Sequence, residues 1–373
     1  MATMMGEISN SPRPANVAEI EDQLRDLWRE LGDQHRDEHY VMTRVCTMTV
    51  IGYGANQTLA KRVRTALPQV FGVHPCRAIL IETGSEAEEL SAWVSTVCQP
   101  SSEEHEQVCC EQITFCVGEQ MRRRLPGTVL PLVVSDLPLF VWWPGPLHPA
   151  SNVRTQLFAH ADRWIMDSAD FLDPLPDLAR LHKMVISDQT DAVSDLTWAR
   201  LTPWRTAFAQ IFDAMAMRPV LENLSNIKVT TGRHQAAGLL SIGWMATCLD
   251  WQLISASGNS ETLLCNFKHR NGTVTISMQT SDRTGEEVPF IEVQAAKHKA
   301  SITVGRSSNK QALLANVHLD GETRCQMSEL PRPSDSLLLL NELNMYSHDR
   351  VYERALAIVA AIAQATDPHG AHV

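Results

Sequence analysis

Chemistry needs particular side chains at particular spacings, and this 373-residue chain offers few complete sets. Gly52 and Gly54 form a Gly-x-Gly that follows an apolar run and opens a helical pattern, the setting of a dinucleotide loop. The third glycine is missing, because position 57 is Gln57. The acid that would hold a ribose hydroxyl, due about twenty residues on, is missing too, since Glu82 comes too late. The turn Gly52–Asn56 therefore has two readings: a nucleotide-binding loop, or a strand-to-helix turn that needs glycine for its backbone. Cys109, Cys110 and Cys116 lie close together, so they are either redox partners or inert buried thiols. No Cys-x-x-Cys occurs, and His105 and Cys109 share no regular element, so no metal site is expected. Nucleophile-elbow, Walker and zinc-protease motifs are absent, and no catalytic residue is assigned.

The most informative segments are aromatic. The first runs Leu137 to Gly145 and carries Trp142 and Trp143; the second runs Asp162 to Ser168 around Trp164. The third runs Asp195 to Arg205, with Trp198 and Trp204 beside Arg200 and Arg205. Adjacent residues on a strand point to opposite faces, so Trp142 and Trp143 are both buried only if the sheet is covered on both sides. Trp beside Arg is the composition of protein–protein anchors and equally of core-edge packing. Trp142, Trp143, Trp198, Arg200, Trp204 and Arg205 are thus the candidate partner-binding residues.

The elements that must position these groups follow from periodicity. Residues 1–38 read as an arm and an amphipathic helix, with Val17, Ile20, Leu24, Leu27, Trp28 and Leu31 on one face and an acidic face opposite. Residues 39–168 read as strand (Tyr40 to Ile51), helix and strand, then further strands that include Val129 to Val134. This is an α/β domain, Rossmann-like, with a mostly parallel sheet. Residues 169–373 read as an α+β domain, with helices over Thr202 to Met217 and Gln235 to Leu253. An antiparallel sheet follows, with a hairpin signal at Asn271-Gly272, and then two terminal helices. The net charge of −11 argues against nucleic acid as a partner, which needs concentrated Lys and Arg. The apolar run Val129 to Ala150 carries Asp136 and five prolines, so no membrane span is expected. A polar start and dilute cysteines make the expected location cytoplasmic and the expected thiols mostly reduced. Glu82, Glu86, Glu88, Glu89, Glu103, Glu104 and Glu106 read as a solvated acidic region, or as one that steers a basic partner.

Four boxes carry a resemblance: His74-Pro75-Cys76-Arg77, Trp142 to Gly145, Asp162 to Ser168, and Asp195 to Arg205. Together they resemble the glucose-6-phosphate dehydrogenase assembly protein family (OpcA), with a departure at Cys76. The resemblance implies a non-catalytic protein without a cofactor. It would bind glucose-6-phosphate dehydrogenase and promote its active oligomer, as an allosteric activator in the pentose phosphate pathway that supplies NADPH. It also implies thioredoxin as a further partner, since some family members are linked to thioredoxin control.

Overall fold

The computed structural model describes residues 8–9, 12–34, 41–84, 90–100, 106–147, 151–187, 192–281, 288–307 and 311–367. Glu86, Glu88, Glu89, Glu103 and Glu104 of the acidic region, and His105, lie outside them.

The first half contains β1 (Ile8–Ser9), β2 (Arg13–Ala15), α1 (Ile20–Gln34), β3 (Val41–Arg44), β4 (Met48–Gly54), α2 (Gln57–Ala66) and β5 (Cys76–Thr83). It continues through β6 (Leu90–Pro100), β7 (Glu106–Val117), α3 (Leu125–Val129), β8 (Leu139–Trp143), α4 (Asn152–Phe158), β9 (Arg163–Met166), α5 (Pro174–Val185) and β10 (Ala192–Asp195). These strands form a ten-stranded sheet ordered β1-β6-β7-β5-β4-β8-β9-β10, with β2 on β6 and β3 on β7. Every pairing from β7 to β10 is parallel, and β6 runs antiparallel to β7. Strands β4 and β8 are buried at every position, because helices cover both faces of the sheet. One face carries Ile51, Ile79, Trp143 and Trp164 with Leu24 of α1 and Leu157 of α4. The other carries Val50, Ala78, Phe140 and Trp142 with Val63 of α2.

The second half contains α6 (Leu196–Arg200), α7 (Thr202–Gln210), α8 (Arg218–Leu221), β11 (Asn226–Thr231), α9 (Gln235–Cys248), β12 (Gln252–Gly258) and β13 (Thr262–His269). It ends with β14 (Gly272–Thr280), β15 (Phe290–Ala295), β16 (Ala300–Arg306), β17 (Ala312–Leu319), β18 (Glu322–Glu329), α10 (Asp335–Glu342) and α11 (Arg350–Thr366). Its eight-stranded sheet is ordered β12-β13-β14-β11-β15-β16-β17-β18. All pairings are antiparallel except β11 with β14. The expected turn joins β13 to β14, where His269 pairs with Gly272. No helix of the described residues is long and apolar enough to cross a membrane.

Several boundaries differ from expectation. The stretch read as a strand from Val129 is helical: α3 ends there and a 3-10 turn covers Leu130–Leu132. Pro126 and Pro131 each sit in a first helical turn, where a missing N–H costs nothing. The strand expected from Tyr40 to Ile51 divides into β3 and β4, which pair with different neighbours. The second helix stops at Cys248, and Asp250 in a left-handed conformation (φ 54°) turns the chain into β12. Strand β10 joins the first sheet, so that sheet extends past residue 168 to Asp195.

Candidate functional site

The three aromatic segments converge at the carboxyl ends of the parallel strands, where open α/β sheets hold their ligands. They meet through Asp167, the residue after β9. It is about 1% exposed and accepts Arg200 Nη1 and Nη2 at 2.8 and 2.6 Å. It also accepts Thr197 Oγ1 at 2.9 Å and Arg62 Nη2, from α2, at 2.6 Å. Burial opposes ionisation of Asp167, yet the hydrogen bonds and charge of Arg200, and then of Arg62, outweigh it and hold the carboxyl well below the usual range. Arg62 also donates to Asp170 at 2.6 Å and to both oxygens of Asp335 at 2.6 and 3.1 Å. Arg200 reaches the same Asp335 at 3.2 Å. Asp335 opens α10, a helix from the far end of the chain, whose N-cap is Ser334.

Two guanidiniums thus face three carboxylates beside a cavity of about 310 Å³ that His234 and Thr197 also line. Every guanidinium in this crevice is already bound by carboxylates of the same chain. Among the described residues no three His, Cys, Asp or Glu side chains could share a metal ion.

Asp195, at the end of β10, is the second buried acid. Its Oδ1 accepts the backbone N–H of Ser168 at 3.0 Å and of Thr197 at 2.9 Å, so it caps α6. Its Oδ2 accepts Tyr352 from α11 at 3.3 Å. Burial, then the nearby charge of Asp167, pushes its pKa up to about 6 against the pull of those N–H donors.

The candidate partner anchors are placed by this network. Trp142 and Trp204 are fully buried, and Trp143 and Trp198 are each about 6% exposed. Trp143 stacks on Tyr53 at 3.9 Å and on Trp164 at 5.5 Å, while Trp142 lies on the opposite face, 6.0 Å from the Arg62 guanidinium. Trp198 donates to Asp349 at 2.8 Å, and Arg205 lies 3.4 Å from its ring centre. Burial pulls the Arg205 pKa down to about 10. Trp204 stacks on Phe208 at 5.3 Å. These rings brace the core and present no free face to a partner, and Arg200 is saturated by Asp167 and Asp335. Arg205, half-buried like Arg200, donates to the Trp198 carbonyl at 2.9 Å and to Thr202 Oγ1 at 3.0 Å.

The Gly52–Asn56 turn sits where a dinucleotide loop belongs, but its glycines serve packing. A Cβ on Gly52 would lie 2.5 Å from Val63 Cγ1, and one on Gly54 would lie 2.4 Å from the Ala60 Cα. Both let α2 rest directly on β4. Asn56 caps α2 by accepting the N–H of Leu59 at 3.0 Å. Glu82 stands one residue before the end of β5, the strand that carries the ribose-binding acid in dinucleotide folds, and is held by Arg64 at 2.7 and 2.6 Å.

Seven of the nine cysteines are free thiols, and Cys98 and Cys109 form a disulfide. Cys109 is bonded to Cys98, its cross-strand partner on β6, and not to Cys110 or Cys116. Alternation explains this: neighbouring residues on β7 face opposite ways, so Cys110 points to Phe71 and Cys76 on the other side. Cys116 stands half-buried beside Glu82; burial first, then that carboxylate, raises its pKa. The Cys98–Cys109 bond is buried beneath Leu31 and Trp28 of α1. The same helix is fastened by Trp28 Nε1 to Glu111 at 2.6 Å and by Glu21 to buried Arg77 at 2.5 Å.

Sequence reasoning missed Arg62, Asp335 and Cys98. Arg62 lies beside an apolar stripe and Asp335 is remote in the chain, so neither carries a local signal; Cys98 becomes legible once the β6–β7 register is known.

Comparison with known proteins supplies the context. The family domain described as glucose-6-phosphate dehydrogenase subunit N-terminal domain matches residues 69–183, and the corresponding C-terminal domain matches residues 191–356. A Synechocystis protein bearing the provisional name OxPP cycle protein OpcA is 28% identical over 312 residues, 78% of this chain and 64% of that protein. The Nostoc punctiforme protein of the same name is 31% identical over 185 residues, 49% of this chain and 39% of that protein. The chain therefore spans less than two thirds of the length of these relatives. Among solved structures, the transcriptional regulator Gal80p of Kluyveromyces lactis aligns with a TM-score of 0.46 at 10% identity, covering 92% of this chain and 95% of that one. Bacillus subtilis YvaA, described provisionally as an oxidoreductase, aligns with a TM-score of 0.45 at 8% identity, covering 86% and 96%. The two matched domains take up most of the chain, one on each half, and the chain belongs to the OpcA family of glucose-6-phosphate dehydrogenase assembly proteins.

Proposed function

We propose that this chain is a non-catalytic activator that binds glucose-6-phosphate dehydrogenase and favours its active oligomer. Family membership across both halves carries this reading. The filled crevice supports it, since Arg62 and Arg200 are occupied by Asp167, Asp170 and Asp335 where an enzyme of this architecture would hold its cofactor. An activator must bind the enzyme's active state more tightly than its other states. Its contact surface then lies outside the buried tryptophans. The test is to mix the purified chain with its cognate dehydrogenase. Initial rate against glucose 6-phosphate and the mass of the complex are then measured. A higher rate or lower half-saturation, with a heavier complex, is expected; no change in either overturns the proposal.

We further propose that activation responds to the redox state of the Cys98–Cys109 bond. The bond joins β6 to β7 under α1, so its reduction by a thioredoxin-like donor loosens the strand pair on which that helix rests. Cys98→Ser should reproduce the reduced protein's activation behaviour. Equal activation by the oxidised, reduced and Cys98→Ser forms would refute this control.

A further inference from the structure

The second sheet has one covered and one open face. Inward-facing Val229 and Met278 pack against α9 at Gly238. The outward side chains of β13, β14, β11, β15 and β17 are exposed or half-buried, and no described helix lies over them. Half-polar antiparallel sheets commonly face water, so bareness alone says nothing. Three observations set this face apart.

The first is an apolar row that runs to the free edge. Gly305 pairs with Leu314, and Leu314 with Met327 on the edge strand β18. Phe290 lies across Gly305, so close that a Cβ there would fall 2.3 Å from its ring. Met327 is 71% exposed, and Leu264, on the same face near the opposite edge, is 44% exposed.

The second concerns the polar groups. Asn266 donates to Ser255 at 3.0 Å and accepts from Thr275 at 2.9 Å, so one ladder joins β12, β13 and β14. Asn316 donates to Thr303 at 3.3 Å. Polar groups that already satisfy one another lose little when water is removed, which lowers the usual desolvation cost of a polar interface.

The third is charge. The chain carries −11 overall. Along the open face, however, Lys228 and Lys268 offset Glu292 and Glu329, and Lys228 pairs with Glu292 at 3.5 Å. Two copies of a strongly acidic chain repel across most of their surfaces, but not here. The size also fits. Eight strands about 4.8 Å apart and about seven residues long present a face on the order of 900 Å², near the ~800 Å² that each partner buries in a standard interface.

We infer that the open face of the second sheet is the contact surface between two copies of this chain, packed sheet against sheet about a twofold axis. A twofold contact is self-complementary, so one substitution acts twice. Sedimentation of the full chain in reducing buffer, from about 1 to about 100 µM, tests this on the dissociation scale of ordinary dimers. Reducing buffer keeps exposed Cys325, on the same face, from cross-linking copies. Wild type should sediment at twice 41.5 kDa. Leu314→Glu and Met327→Glu should sediment as monomers with unchanged circular dichroism. Ile186→Glu, at a 63% exposed site away from the face, should stay dimeric. Met327 is so exposed that its variant will fold even if Leu314→Glu does not. A wild-type monomer throughout the range, or a dimer that persists in folded Met327→Glu, overturns the inference. So does a monomer whose folded Met327→Glu variant loses the dehydrogenase, which would give this face to the enzyme and leave the proposed function standing.

Discussion

Asp167 and Asp195 show how two buried carboxyls, 28 positions apart in sequence, are driven in opposite directions by what donates to them. Asp167 faces two guanidiniums and stays ionised far into acid. Asp195 receives backbone N–H groups and a tyrosine hydroxyl, and it stands near the Asp167 charge, so its pKa rises to about 6. The signs differ accordingly. A depressed carboxyl adds stability above its unfolded pKa and loses it as pH falls. A raised one binds more protons in the folded state, so stability falls as pH rises from about 4 to about 6 and is flat above. Replacing Asp195 with Asn keeps an oxygen for the Ser168 and Thr197 N–H groups and removes the titration. The stability of Asp195→Asn relative to wild type should therefore improve between pH 4 and pH 7, by on the order of 2 kcal/mol. Urea titrations at both pH values read this directly. A difference between variant and wild type that does not move with pH would show that Asp195 titrates normally.

At the scale of elements, the contact of α2 with β4 decides what the glycine turn is for. A methyl on Gly54 would meet the Ala60 backbone at 2.4 Å, and backbone cannot move aside as a flexible side chain can. Gly54→Ala should cost about 1–3 kcal/mol or more through overpacking, seen as a lower thermal midpoint. A midpoint equal to wild type would return the turn to the ligand reading. This contact also shows where legibility ends. Glycine, strand and helix are each visible in local pattern, and so is the parallel sheet, because strand, helix and strand follow one another from β4 to β5. The two-sided burial of Trp142 and Trp143 followed from strand alternation once cover on both faces was granted. What the glycines touch depends on how closely a helix approaches a strand, which no spacing records. Prolines misled at Val129, where they open short helical turns and do not break a strand pair. The cross-strand disulfide needed a register, and the site's Arg62–Asp335 pair joins positions 62 and 335, beyond the reach of any periodicity.

Over the whole molecule, the chain's last helices close its first domain. Leu338 and Leu339 of α10 pack into the cluster around Trp142 on the first sheet, while Tyr352 of α11 reaches Asp195 at the end of β10. Asp335 completes the tie by binding Arg62 and Arg200 together. The two sheets are thus laced into one cooperative unit. Urea unfolding followed by tryptophan fluorescence and by far-UV circular dichroism should give a single shared midpoint. Variants at the tie should shift that midpoint by unequal amounts. Asp335→Ala leaves two guanidiniums facing two carboxylates, so its loss stays within about 1–3 kcal/mol, the cost of one charged hydrogen-bonding partner. Arg62→Ala leaves three carboxylates around one guanidinium and strips a buried acid of a counter-charge, which costs about 3–5 kcal/mol. Because the tie joins the halves, both probes should move together in each variant. Two separate midpoints in the wild type, or an Asp335→Ala variant that loses no stability, would mean that the network decorates the junction without coupling it.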